Sequence, residues 1–223
     1  RMLLDSTGQQ TMGRLGVVNG RDLYNGGDLL KNIPMLLVIS GPSGAGKGTI
    51  ISRLMEADKS LVFSVSATTR APRPGEVDGV HYYFITREEF ERRIDDQQIL
   101  EYTSYCGNYY GTPKKELYER TVSGVNVILE IEVEGAINVR RLCPVAVLIY
   151  VLPPDAETLE ARLRGRGTNT EEDIANRLAT AREEIRCLPD YDYIVINENA
   201  GAEAAADEIV NIIASEQHKV SRN

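Results

Sequence analysis

Cysteine is scarce in this chain. Cys106, Cys143 and Cys187 are the only three in 223 residues, and no two of them stand as CxxC. That spacing indicates neither a disulfide framework nor a zinc ligand group, and it reads as reduced packing thiols in a cytosolic protein. Long apolar runs are also missing: no stretch of about 18 apolar residues occurs, so no transmembrane helix is expected. The first residues lack the apolar core of a signal peptide. Positive charge is in the minority, with 25 Lys and Arg against 33 Asp and Glu and a formal net charge of −8. A protein that coats nucleic acid needs many cations to displace counterions from phosphates, so no nucleic-acid partner is expected. A small anionic substrate is not excluded, because a few clustered arginines reverse the field locally. What remains, 42% hydrophobic and 26% charged residues, is the composition of an ordinary globular chain of one-domain length.

Residues 1–33 hold six of the 19 glycines and show no helical or alternating period. Such a segment buries too little apolar surface to offset its ordering entropy, which predicts a flexible N-terminal extension ahead of a folded unit over 34–223. Order begins with the apolar run Met35-Leu36-Leu37-Val38-Ile39. Gly-rich residues follow, then Ile50, Ile51, Leu54 and Met55 at helical spacing: a buried strand, a turn and a helix. Further apolar strands are expected over 125–129, 145–151 and 193–196, alternating with helices over 133–142, 156–163, 170–187 and 202–214. That rhythm predicts an α/β fold, a parallel sheet with helices on both faces. Residues 64–112 break it. Turn-rich around Pro72, Pro74 and Gly75 and carrying six of the 11 tyrosines, they read as an inserted lobe, partly β.

Gly41-Pro42-Ser43-Gly44-Ala45-Gly46-Lys47 satisfies the Gly-x4-Gly-Lys core of a P-loop, and it directly follows a strand and opens a helix. That context is what the chemistry requires. Successive N–H groups point inward, the helix dipole adds positive potential, and Lys47 reaches the β- and γ-phosphates of a nucleotide. The next residue is Gly48, not the Ser or Thr that usually meets Mg²⁺; Thr49 comes one place later, an ending that resembles the adenylate kinase form of the loop. Magnesium is therefore expected mainly through nucleotide oxygens and water, with Thr49 as a candidate contact.

The second signal runs from Thr68 to Phe84. Arg70 and Arg73, three residues apart in a proline-stiffened turn, form two guanidinium forks suited to a doubly charged phosphate. Alone, the segment could equally be a solvated basic turn. Together with the P-loop it resembles the guanylate kinase family from about Met35 to the C-terminus. The resemblance implies a parallel P-loop sheet with flanking helices (34–63, 113–155 and 188–223), an inserted mixed α/β lobe for GMP (64–112) and a helical lid (156–187). It further implies transfer of the γ-phosphoryl group of MgATP to GMP, and to dGMP, with the loop from Gly41 to Thr49 and Asn197 on the ATP. Arg70, Arg73, Tyr82 and Tyr110 would hold the GMP phosphate, and Ser66, Glu101, Thr112 and Glu130 the guanine edge.

Chemistry agrees with the second set. Guanine presents N1–H and N2–H₂ donors that one carboxylate accepts together, and an O6 that a hydroxyl donates to. Adenine offers neither donor, so a buried Glu101 would reject it. Read without the resemblance, Glu101 after Ile99-Leu100 is a solvent-facing strand residue. In Leu129 to Gly135, Glu130, Glu132 and Glu134 share one face if the strand persists. Glu132 becomes a candidate for ordering the magnesium's water, as the residue where the family commonly has Asp.

Residues 161–186 contain six arginines and no lysine, but 19 of the 25 basic residues are Arg, so composition decides nothing. By position, Arg162, Arg166 and Arg177 match the family's closing lid over the transferring group. Arg164, Arg182 and Arg186 are expected to pair with Glu171, Glu172, Glu183 and Glu184. With Lys47, Arg70 and the lid arginines catalytic, transfer would be direct and in line. The acceptor phosphate is already largely ionised at pH 7, its second pKa being about 6, so neither His81 nor His218 is needed as a base. Two other functions remain open from residues alone: a catalytically silent interaction module and a P-loop kinase for another phosphorylated acceptor. The oligomeric state, monomer or homo-oligomer, is left open too.

Overall fold

The computed structural model describes residues 34–219, apart from 106, 123–124, 166, 168–169 and 199–200. The chain opens with strand β1 (Leu36–Ser40), helix α1 (Lys47–Ala57) and the short strands β2 (Leu61–Phe63), β3 (Ala67–Thr68) and β4 (Tyr83–Phe84). Helix α2 (Arg87–Asp95) leads into β5 (Ile99–Tyr105), β6 (Asn108–Pro113) and α3 (Lys114–Val122). Then come β7 (Asn126–Glu130), α4 (Val133–Leu142), β8 (Val147–Leu152), α5 (Ala156–Gly165), α6 (Glu171–Glu184), β9 (Tyr193–Ile196) and α7 (Ala202–Gln217).

Five strands form a parallel sheet in the order β2-β7-β1-β8-β9. All five residues of β1 are buried, which explains why its sequence is a continuous apolar run rather than an alternation. Leu37 and Ile39 pack with Ile50 and Leu54 of α1 and Ile209 and Ile213 of α7. Leu36 and Val38 face the other way, onto Leu117 of α3 and Ala136 and Val139 of α4. Each such side chain contributes about 1.5–3 kcal/mol of burial. A third, small cluster of Leu159, Leu163, Ile174 and Ala181 holds α5 against α6.

A second, mixed sheet in the order β4-β3-β6-β5 occupies the segment that broke the α/β rhythm. There β3 is parallel to β4 and antiparallel to β6, and β5 is antiparallel to β6.

Two local expectations are corrected. The strand through Leu129 ends at Glu130; Glu132 is the N-cap residue of α4 and Glu134 lies inside that helix, so the three glutamates do not alternate on one strand face. The helix expected over 170–187 ends at Glu184 and tightens into a 3-10 turn over Ile185–Asp190. Its start is well marked: Thr170 accepts from Asp173 N–H while the Asp173 carboxylate accepts from Thr170 N–H, a reciprocal cap.

Candidate active site

The carboxyl end of β1 delivers the chain into the phosphate loop. Gly46 is the N-cap of α1, with φ 92°, and no side chain caps the helix, so its first amides stay directed at the loop. A side chain at Gly46 is impossible on two counts: φ lies in the left-handed region, and a Cβ would sit 2.3 Å from Asn197 Nδ2. Lys47 Nζ donates to the Gly41 carbonyl at 2.6 Å and the Pro42 carbonyl at 3.3 Å, which keeps the ammonium over the loop.

Two arginines, one from α5 and one from α6, converge on the same loop from distant sequence. Arg177 of α6 donates to Ser43 Oγ at 2.6 Å. Arg162 of α5 donates to the carbonyls of Ala45 (3.3 Å), Asn197 (2.8 Å) and Glu198 (3.3 Å). Arg166 lies outside the described residues. Asn197, buried after β9, donates through Nδ2 to the Ala45 carbonyl at 2.7 Å, while its Oδ1 is buried with no hydrogen-bond donor among the described residues. A cleft of about 300 Å³ opens here, lined by Gly44, Gly46, Thr49, Arg162, Asn197 and Gly201 among others. Thr49 is thus on the cleft wall with Asn197, and an added Cβ at exposed Gly48 would meet nothing within 4 Å.

The other half of the site stands on the mixed sheet. Thr68 Oγ1 donates to the Tyr109 carbonyl at 2.9 Å and accepts from Arg70 N–H at 3.2 Å, pinning the arginine turn to β6. The Arg70 guanidinium lies over the rings of Tyr82 (5.4 Å) and Phe84 (5.7 Å), and Tyr82 meets Tyr110 edge-on at 6.0 Å. Burial, with Glu130 as the nearest carboxylate influence, pushes the Tyr82 hydroxyl up in pKa and keeps it a donor. Arg73 is exposed at the turn, and partly buried Ser66 accepts from Tyr83 N–H through its carbonyl at 2.9 Å.

Glu101 is not the solvent-facing residue that an isolated reading of β5 gives: it is 5% exposed. Its Oε1 accepts from Thr112 Oγ1 at 2.7 Å. Its Oε2 lies against Gly135 in the first turn of α4, where any Cβ would come within 2.5 Å of it. Burial raises the Glu101 pKa, with hydrogen bonds from Thr112 pulling the other way.

Glu130, at the end of β7, is also raised by burial, with Lys47 opposing and Glu132 adding to the shift. Sequence reasoning missed two acidic residues. Glu184, expected to pair with a surface arginine, turns inward: Tyr150 OH donates to it at 3.3 Å, and burial and then Glu132 raise its pKa against the pull of Lys47. Nearby, the buried Tyr191 hydroxyl is raised in pKa by burial, with Ser40 as its polar neighbour pulling the other way. The other lid pairings are as expected for Arg164 with Glu171 and Arg186 with Glu183. Glu76 is the second missed residue; it binds Arg70 through both carboxylate oxygens, each at 2.9 Å. The Glu76 signal was present, a carboxylate six residues after an arginine in a tight turn, but pairing is not visible without the turn's path.

Comparison with known proteins bears on these two groups of residues. The family model described as guanylate kinase matches residues 34–216. A guanylate kinase of Clostridioides difficile is 50% identical over 84% of this chain and 91% of its own length. One from Lactococcus lactis is 49% identical over the same shares. The crystal structure of guanylate kinase from Anaplasma phagocytophilum superposes with a TM-score of 0.70 at 36% identity, covering 86% of this chain and 91% of that one. With a phosphate loop, converging arginines and a buried carboxylate on a shared fold, the chain belongs to the guanylate kinase family.

Proposed function

We propose the following division of labour for the family's reaction, transfer of the γ-phosphoryl group of ATP to GMP. The observation that carries it is Glu101, a carboxylate buried on the mixed sheet and held by Thr112. A buried acceptor of this kind is matched by the N1–H and N2–H₂ pair of guanine and is left unpaired by adenine. Residues 64–112 form the GMP lobe, in which Ser66, Thr112 and Glu130 complete the base edge. The packing of Arg70 with Tyr82 and Tyr110 supports their role, with Arg73, as the phosphate clamp. Residues 156–187 form the lid over the core of the remaining segments.

On the ATP side, the free amides of α1 and the loop from Gly41 to Lys47 cradle phosphate oxygens. Lys47 exchanges the Gly41 and Pro42 carbonyls for the transferring group, and Arg177 and Arg162, already on the loop, neutralise charge that spreads onto its oxygens. Arg166 is assigned there by resemblance alone. Asn197 Oδ1 is available to a donor on the nucleotide. Bringing two anions into line in a closed site, with water excluded, is the main task, and no side chain has to take a proton.

Among the described residues no cluster of His, Cys, Asp or Glu is arranged to hold a metal directly. Glu132 nevertheless acts electrostatically on both Glu130 and Glu184, each also under the influence of Lys47, which fits a hydrated cation held at one remove. Magnesium there would supply charge neutralisation on the phosphate oxygens, with Glu132 as the candidate for ordering its water and Thr49 on the cleft wall as the candidate direct contact. GMP and ATP are the partners we assign, with no nucleic acid, in a cytoplasmic protein.

Lys47→Ala and Arg177→Ala test this reading. Each is expected to lower kcat on the order of 10²-fold or more, with the melting transition intact. Full turnover in the Lys47 variant would overturn it.

A further inference from the structure

Arg70 has five N–H donors, and Glu76 decides how they are spent. Nη1 and Nη2 each lie 2.9 Å from a different Glu76 oxygen, so the carboxylate takes the end-on fork of the guanidinium. The second hydrogen of Nη1 goes to the Ala71 carbonyl at 2.7 Å. That leaves Nε–H and the outer Nη2–H, the side-on fork, with no carboxylate or backbone carbonyl on them among the described residues; the adjoining polar group is the Tyr110 hydroxyl. A side-on fork matches two oxygens of a phosphate as well as an end-on one does.

Glu76 anchors the turn as well. Its Oε2 accepts from Arg73 N–H at 2.7 Å, and Glu76 N–H donates to the Arg73 carbonyl at 3.0 Å. One carboxylate therefore fixes the side chain of one clamp arginine and the backbone of the other. The pair is shielded, with side chains 15% and 17% exposed, and the Tyr82 and Phe84 rings close one side of it. The Arg70 guanidinium, helped by Arg73 N–H, holds the Glu76 carboxyl down at about 2, so it stays charged throughout the working range.

We infer that Glu76 is a positioning residue for the acceptor: it rotates Arg70 so that the side-on fork faces the GMP phosphate, and it sets the turn that carries Arg73. The inference rests on the reading of Arg70 as a phosphate ligand. Electrostatics alone gives the opposite sign, because Glu76 adds a negative charge beside a dianion, and removing it would tighten GMP binding. The direction of the change therefore decides between positioning and simple charge.

The experiment is steady-state kinetics of E76A, E76Q and R70A in the full chain, with KM for GMP, KM for ATP and kcat measured separately. E76A is expected to raise KM for GMP on the order of 10- to 100-fold, the scale of one charge-assisted hydrogen bond. KM for ATP and kcat at saturating GMP should stay within about threefold, since among the described residues Glu76 bonds only to the Arg70–Arg73 turn. E76Q, which keeps the shape and turns an amide N–H₂ toward the guanidinium, should raise KM for GMP in the same direction; it carries the test if E76A does not fold. An unchanged or lowered KM for GMP overturns the inference, and so does a raised KM accompanied by an equal loss of kcat. R70A separates the two layers: an unchanged GMP KM in R70A overturns the clamp reading itself, whereas an impaired R70A beside a normal E76A overturns only the role of Glu76.

Discussion

Glu101 sits where desolvation works against its charge, and among the described residues the Thr112 hydroxyl is its one side-chain donor. Its folded pKa is raised above the 4.5 of an ordinary carboxylate. A group of this sign stabilises the fold fully below its unfolded pKa, and that contribution is lost as pH rises through the folded value. Glu101→Gln, which keeps an acceptor for Thr112, should therefore melt at a higher temperature than the native chain at neutral pH. The gap should widen upward from about pH 4.5 and then level off. Differential scanning calorimetry across that range checks it; a gap that narrows with rising pH contradicts the account. On the proposed reading, the reason to keep a costly carboxylate is the guanine it receives. Gly135 makes the complementary case. Gly135→Ala pushes a methyl into Glu101 Oε2, so KM for GMP should rise about tenfold or more while KM for ATP holds, the loss expected when one charged hydrogen bond is misaligned. Kinetics with each substrate varied in turn will show whether the effect is confined to GMP.

Among the elements, the lid is the one whose packing can be probed apart from its chemistry. Leu163 is fully buried in the small cluster that joins α5 to α6, and Leu159 and Leu163 lie directly behind Gly44 of the phosphate loop. Leu163→Ala should cost this pair of helices about 2–5 kcal/mol of local stability and loosen Arg162 and Arg177 from the loop. Turnover should fall while GMP affinity, measured by titration calorimetry, stays near its original value. Unchanged turnover would separate the arginines from their scaffold and count against it. Elements also mark how far sequence reading reaches. β1 and β8 were legible because burial on both faces writes a nearly continuous apolar run, β7 because Val127, Ile128 and Leu129 do so within it, and the phosphate loop because its backbone demands glycines at fixed places. β2, β3 and β4, of three, two and two residues, are too short for any period to register. Glu76 and Glu184 were missed for another reason. Whether a glutamate on a turn or helix end points to solvent or inward depends on the path of a neighbouring segment, and Tyr150 and Arg70 are distant from them or hidden by a turn.

For the whole molecule, the net charge of −8 proves a poor guide to its ligands. The positive field that matters is local: Lys47, Arg162 and Arg177 on the phosphate loop, and Arg70 beside Glu76 on the mixed sheet. The first group gathers from α1, α5 and α6 and the second stands on the inserted sheet, so on the proposed reading the two phosphate sites draw on different parts of the fold. The motif residues stand out by their spacing in the sequence; the partners of Glu76 and Glu184 do not, because Arg70 reaches Glu76 only through the path of one turn and Tyr150 meets Glu184 only once β8 and the end of α6 come together. The most direct test of this division compares kcat/KM for GMP with kcat/KM for AMP, in the native chain and in E101Q. The account predicts a preference for GMP on the order of 10⁴-fold or more in the native chain, the scale set by an unpaired buried polar group, and its collapse by at least about 100-fold in E101Q. A preference that survives the substitution undiminished would contradict the assignment of Glu101 as the reader of guanine.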